Sequence, residues 1–167
     1  MIILISDCWD IRKNNIVHLI DNWGKVFSVE FAIKVTKLPP STWTNVFHFT
    51  ADGDNENYGD RIPALYIENH NQKGYFQFCS AINDEKNYAV KHELYLGKKY
   101  QIIIKQYEDD MGKYFYEIMI DDESIHIKEN TKPTFFADVT LYGSDPWAEG
   151  FSSEFGKACS FNIVGAP

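Results

Sequence analysis

The sequence predicts an all-β chain folded as a two-sheet antiparallel β-sandwich of the jelly-roll kind, and three observations predict it. Apolar and polar residues alternate with period two in run after run, as they do where one face of a strand is packed and the other is wet. The runs are separated by Gly, Pro, Asn and Asp. Aromatic residues make up 16% of the chain and are spread over many runs, so one sheet needs a second to cover it.

Taken in order, Met1-Ile2-Ile3-Leu4-Ile5 reads as a first strand that pairs into a sheet and so orders the terminus, with the remainder of a removed leader as the alternative. In Val26 to Val35, Phe27, Val29, Phe31, Ile33 and Val35 fall on one face, while Ser28, Glu30 and Lys34 fall on the other. Only Ala32 blurs the alternation. Comparable runs span 43–50, 62–68, 74–80, 100–107, 113–120, 124–128, 137–142 and 159–164. Short polar links at Glu108 to Gly112 and at Asp121-Asp122-Glu123 make 100–128 a three-stranded meander. No repeat, linker or low-complexity tract interrupts the layout, and 167 residues suit a single sandwich domain over 1–167.

Charge and composition narrow the function. Twenty-four acidic against sixteen basic residues give a net charge of -8, which opposes the phosphate neutralisation on which nucleic-acid affinity rests. No run approaches the roughly 20 apolar residues needed to span a bilayer, and the first residues lack a basic leader. Three cysteines allow at most one internal disulfide. Cys79 and Cys159, both in strand-like runs, are the expected pair, with buried reduced thiols as the alternative.

The densest chemistry lies in Asn45 to Ile67, where two strand-like runs flank a loop bearing Asp52, Asp54, Glu56 and Asp60. Calcium takes six to eight oxygen ligands, and these acids with Asn55 and Asn57 supply enough donors, although not at EF-hand spacing. A solvated turn without an ion accommodates the same residues. Arg61 directly follows, either to pair with Asp60 or Glu56 or to meet a ligand as a planar fork. A second cluster is Tyr142-Gly143-Ser144-Asp145-Pro146-Trp147. A loop-borne Trp147 stacks on a sugar ring if exposed and plugs the core if buried, and Asp145 accepts hydroxyl hydrogen bonds or joins a metal shell. Trp9, Trp23 and Trp43 lie where packing is the default role, and the five histidines show no paired zinc spacing.

The order of these segments resembles the laminin-G-like members of the concanavalin-A-like lectin and glucanase superfamily. The likeness runs through FSVEFAIKV, NVFHF, the acidic loop, IPALYIEN and YFQFCS, then LGKKYQIIIKQ, YEIMIDDESI, SDPW and the terminal SFNIV. It implies two curved antiparallel sheets, a glycan or glycoprotein ligand bound at the rim or concave face, and a calcium ion near the rim. It also implies an extracellular setting and places an acidic calcium ligand at Asp52 or Asp54.

Glycosidases of this superfamily carry Glu-x-Asp-x-x-Glu on one strand, and no run here matches. The nearest, Glu117 to Glu123, puts its third acid in a turn. The expectation is therefore a non-catalytic, lectin-like carbohydrate-binding module. Its metal candidates are Asp52, Asp54, Glu56 and Asp60, and its ligand-binding candidates are Arg61, Asp145 and Trp147. The alternative is a protein-interaction or self-assembling module with an apolar face at Tyr75–Phe78 and Tyr114–Tyr116.

Overall fold

The computed structural model describes residues 1–166 and contains no helix among them. Its strands are β1 (Ile2–Cys8), β2 (Ile16–Trp23), β3 (Phe27–Val35), β4 (Trp43–Thr50), β5 (Ala64–His70), β6 (Lys73–Ile82) and β7 (Glu85–Leu94). They continue as β8 (Lys99–Glu108), β9 (Tyr114–Ile120), β10 (Glu123–Asn130), β11 (Phe136–Tyr142), β12 (Glu149–Gly150) and β13 (Gly156–Gly165). One sheet runs β1-β13-β3-β8-β9-β10, and the other runs β2-β11-β4-β5-β6-β7 with the short β12 added parallel to β4. Apart from β12, every pairing is antiparallel, and the expected meander appears as β8-β9-β10.

The tight links are two-residue hairpins whose central residues both take positive φ: Asn71-Gln72, Asn83-Asp84 and Asp121-Asp122. Asn and Asp tolerate that region, and the resulting turn matches the right-handed twist of the strands it joins. Sequence patterning did not pick out β2 or β7. Both are edge strands, and β7 carries Lys86, Lys91 and Glu93 along a largely solvated ribbon, so no continuous apolar face marks it. β5 starts two residues later than the pattern predicts because Pro63 has no N–H to donate. Ile62 N–H still donates to the Phe49 carbonyl at 3.0 Å, so the pairing is interrupted rather than lost.

The inward side chains of β3 are all buried, and they meet those of β4, β5 and β6 across the sandwich. Phe161 anchors the centre, stacked on Trp9 with centroids 3.6 Å apart and on Phe31 at 5.1 Å, while Phe47 presents an edge to Phe31 at 5.3 Å. Trp23 closes one end against Phe49 at 4.8 Å. The apolar face predicted at Tyr75–Phe78 and Tyr114–Tyr116 is reduced to the partly exposed Tyr75, Tyr114 and Phe115: Phe76, Phe78 and Tyr116 are fully buried, because alternate residues of those strands point into the core.

The disulfide joins Cys8 to Cys159, which corrects the expected Cys79–Cys159 pair. Cys8 and Cys159 are register partners on adjacent strands, whereas Cys79 sits on β6 in the other sheet as a buried free thiol. The bridge closes a loop with a sequence separation of 151 and ties the first strand to the last. Chain-entropy arguments put the effect of such a loop at about 2–5 kcal/mol. Reduction, or a Cys8→Ser substitution, is expected to lower the thermal midpoint by about 4–20 °C. Superimposable melts with and without reductant would remove the bridge from the stability of this fold.

Candidate functional site

On the outer face of the sheet containing β4 to β7, register partners stand side by side: Tyr66 opposite Gln77 opposite Lys91, and Trp43 opposite Glu68 opposite Tyr75. One step along the strands the row is His48, Ala64, Cys79 and Ala89. Beside that row, over Tyr66 and Gln77, lies a recess. The loops 51–63 and 143–148 wall it, giving a cavity of about 480 Å³ lined by Tyr66, Gln77, Asn87, Arg61, Asp54, Trp43, Trp147 and Ala148. Two tryptophans flank it with rings open to solvent, Trp43 at 39% and Trp147 at 43% exposure.

The acidic loop is held by its own acids. The Asp60 carboxylate is buried and accepts the backbone N–H of Gly53 at 3.1 Å and those of Glu56 and Asn57 at 2.8 Å each. Burial alone would raise its pKa, but those three donors together with nearby His48 hold it below the ordinary carboxylate value. Gly59 turns the loop at φ 117°, where a Cβ would meet the Phe136 ring at 2.6 Å. Asp52 and Glu56 remain exposed and do not converge on Asp60.

Arg61 lies across the recess. Its Nε donates to the Asp54 carbonyl and its Nη2 to Asp54 Oδ1, both at 3.1 Å, and its Nη1 donates to Asn87 Oδ1 at 2.9 Å. The guanidinium stacks over the Tyr66 ring, 4.8 Å from its centroid. Its sequence-expected partners were Asp60 and Glu56. The actual partner is Asp54, because Asp60 turns inward to the loop backbone.

Beneath the recess lies a buried pair. Asp145 Oδ2 faces His48 Nδ1 at 2.7 Å, and the other ring nitrogen of His48 faces the Asp60 carbonyl. Both partners are acceptors, so a ring protonated on both nitrogens satisfies both contacts. Asp145 Oδ1 accepts the N–H of Trp147 at 3.0 Å and of Ala148 at 2.8 Å, and Tyr66 donates to Oδ2 at 3.3 Å. Burial would raise the Asp145 pKa, yet the His48 contact and these backbone donors lower it. Burial also pushes the Tyr66 hydroxyl far up, so that it remains neutral. His48, Asp54 and Asp145 each bring a ligand atom within 4.8 Å of the others, a group that could hold a metal ion. For it to do so, His48 and Asp145 must first release each other.

The structure therefore brings Asp54, Arg61, Asp145 and Trp147 together, uses Asp60 beneath them, and leaves Asp52 and Glu56 outside. Sequence reasoning missed His48, Tyr66, Gln77, Asn87 and Trp43. The alternation in NVFHF and ALYIE was a usable signal for some of them, since it places His48 and Tyr66 opposite the core-facing residues. Trp43, expected to pack, instead stands at the start of β4 facing the cavity.

No protein-family model matches the sequence, and no curated protein matches it. Solved structures do. The chain is similar to a heptameric SAP-like pentraxin from Limulus polyphemus (10% identity, TM-score 0.55, covering 95% of this chain and 73% of that one). It is also similar to alginate lyase PA1167 from Pseudomonas aeruginosa (15% identity, TM-score 0.53, 87% and 68% covered). The receptor-binding domain of botulinum neurotoxin D is a third (18% identity, TM-score 0.55), and there the match spans 91% of this chain but 36% of the other. At these identities the likeness shows the jelly-roll β-sandwich fold.

Two carboxylates with lowered pKa give this site an acid limit. Because the folded-state values of Asp60 and Asp145 lie below the ordinary 3.8, their contribution is present above that pH and is lost as pH falls through the folded values. Stability is expected to drop below about pH 4. Asp60→Asn, which keeps one acceptor oxygen but turns an amide N–H₂ toward a backbone donor on the other side, should cost about 1–3 kcal/mol at neutral pH and flatten that drop in a pH series of melts.

Proposed function

We propose that this protein is a carbohydrate-binding, lectin-like module of the concanavalin-A-like superfamily, and that the cavity between Trp43 and Trp147 is where the sugar sits. The observation that carries this reading is the pair of solvent-open indole rings flanking a cavity lined with amide, hydroxyl and carboxylate groups. A pyranose has an apolar face for stacking and an equatorial rim of hydroxyls. An indole suits the first, and Gln77, Asn87 and Asp54 suit the second. The disulfide fits the extracellular, oxidising setting that this reading expects.

Binding without catalysis is part of the proposal. The carboxylates nearest the cavity are committed, Asp145 to His48 and two backbone donors and Asp54 to Arg61. Glu117 lies on β9 in the other sheet, paired with Lys105 at 3.0 Å. In the calcium version of the site, an ion would replace the Arg61 guanidinium between the two loops. Our reading gives that place to Arg61, since Asp54 and Asp145, the acids of the group that could hold an ion, are already paired or hydrogen-bonded. The chain's exposed β1 and β2 edge side chains, Ile2, Leu4, Ile16 and Leu19, are what favours the self-assembly alternative.

A glycan array with the intact protein should return defined binders and no cleavage products. Trp43→Ala and Trp147→Ala are each expected to weaken binding roughly five- to thirtyfold while leaving the melt nearly unchanged. An array without binders, together with a concentration-dependent oligomer in sizing chromatography, would favour the assembly reading. Thermal melts in excess calcium and in excess chelator are expected to coincide. An upward shift with calcium that Asp54→Ala abolishes would give the loop back to an ion.

A further inference from the structure

The charges around the cavity are already neutralised in pairs, and this bears on which sugars fit. Four of the five guanidinium N–H groups of Arg61 are engaged: Nε and Nη2 by Asp54, and Nη1 by Asn87 Oδ1 and, at 3.9 Å, by Cys79 Sγ. Its side chain is 13% exposed, which leaves little of the fork for an incoming anion. Lys91, the next cation along the same face, rests on the buried carboxylate of Glu68 and lies near the Trp43 ring, 5.8 Å from its centroid. Arg61 and Lys91 therefore each have a carboxylate of their own.

What remains unpartnered is of a different kind. With its Oδ1 taken by Arg61, Asn87 turns an amide N–H₂ outward, and Gln77 presents its amide carbonyl. Asp54 has one carboxylate oxygen in the Arg61 pair and a side chain 39% exposed at the cavity wall. Neutral donors beside a carboxylate acceptor match hydroxyl groups, which both donate and accept. A ligand carboxylate at the same place meets the partly exposed Asp54 carboxylate, and neither Arg61 nor Lys91 is free to serve as its counter-charge, each being paired already; the net charge of -8 adds a long-range field of the same sign.

We infer that the cavity selects neutral saccharides, hexoses and their oligomers, over uronic or sialic acids. This inference rests on the sugar-binding reading above and deepens it. The test is calorimetric titration of the full chain with matched pairs of oligosaccharides that differ in oxidation of C6, hydroxymethyl against carboxylate, at low and at physiological salt. Neutral members are expected to bind at least about tenfold more tightly than their uronate counterparts, with little salt dependence on their own part. Asp54→Asn should narrow the gap several-fold by removing that carboxylate and releasing the Arg61 guanidinium it holds. Where that variant does not fold, the wild-type comparison decides alone. Uronates that bind as well as or better than their neutral partners would overturn the selectivity and leave the sugar site standing. Failure of both members of every pair, with the two tryptophan variants also indifferent, would overturn the sugar site and the selectivity with it.

Discussion

The buried contact between His48 and Asp145 is the constraint on which the outer-face site depends. His48 belongs to β4, but its two ring nitrogens reach Asp145 in one loop and the Asp60 carbonyl in the other. Asp145 in turn holds the backbone beneath Trp147, and Asp60 holds the backbone around Asp54. One imidazole ring thus positions both walls of the cavity relative to the strand between them. Both residues are fully buried, so breaking the pair strands a charge away from water, which costs far more than an exposed ion pair contributes.

The scaffold makes this arrangement rigid. The inner faces of both sheets interlock through Phe31, Phe47, Phe161 and Trp9, and the Cys8–Cys159 bridge joins the two terminal strands of one sheet. The site sits on the opposite surface of the other sheet. Its residues are outward members of strands whose inward neighbours are core: Tyr66 lies between Leu65 and Ile67, and Gln77 between Phe76 and Phe78. Side chains fixed in this way present hydrogen-bonding groups to a ligand with little ordering cost left on binding, and the flanking indoles need only stack.

Cations are handled by pairing rather than by leaving charge free. Arg61 stacks on Tyr66 and bridges Asp54 and Asn87, and Lys91 bridges Glu68 and the aromatic pair Trp43 and Tyr75. The acidic loop looks, as a string of letters, like a place that needs a cation. In three dimensions one is supplied by the next residue in the chain, and the remaining acids either cap backbone N–H groups or face water.

Local patterning along the chain is enough for the all-β class, the meander from β8 to β10, the inward face of β3 and the buried roles of Trp9 and Trp23. These follow from period-two alternation and turn chemistry, which are local properties of the chain. It also marked Asp54, Arg61, Asp145 and Trp147 as unusual, because acids, an arginine and a tryptophan set in loops have no packing reason to be there. It takes the folded arrangement of strands to set which acid pairs with Arg61, that Cys8 rather than Cys79 meets Cys159, and that His48, Tyr66, Gln77, Asn87 and Trp43 complete the site. Those choices depend on strand order across a sheet. Residues 48 and 145 become neighbours because β11 and β4 are adjacent and the loop after β11 folds back over β4, a relation that no local pattern encodes.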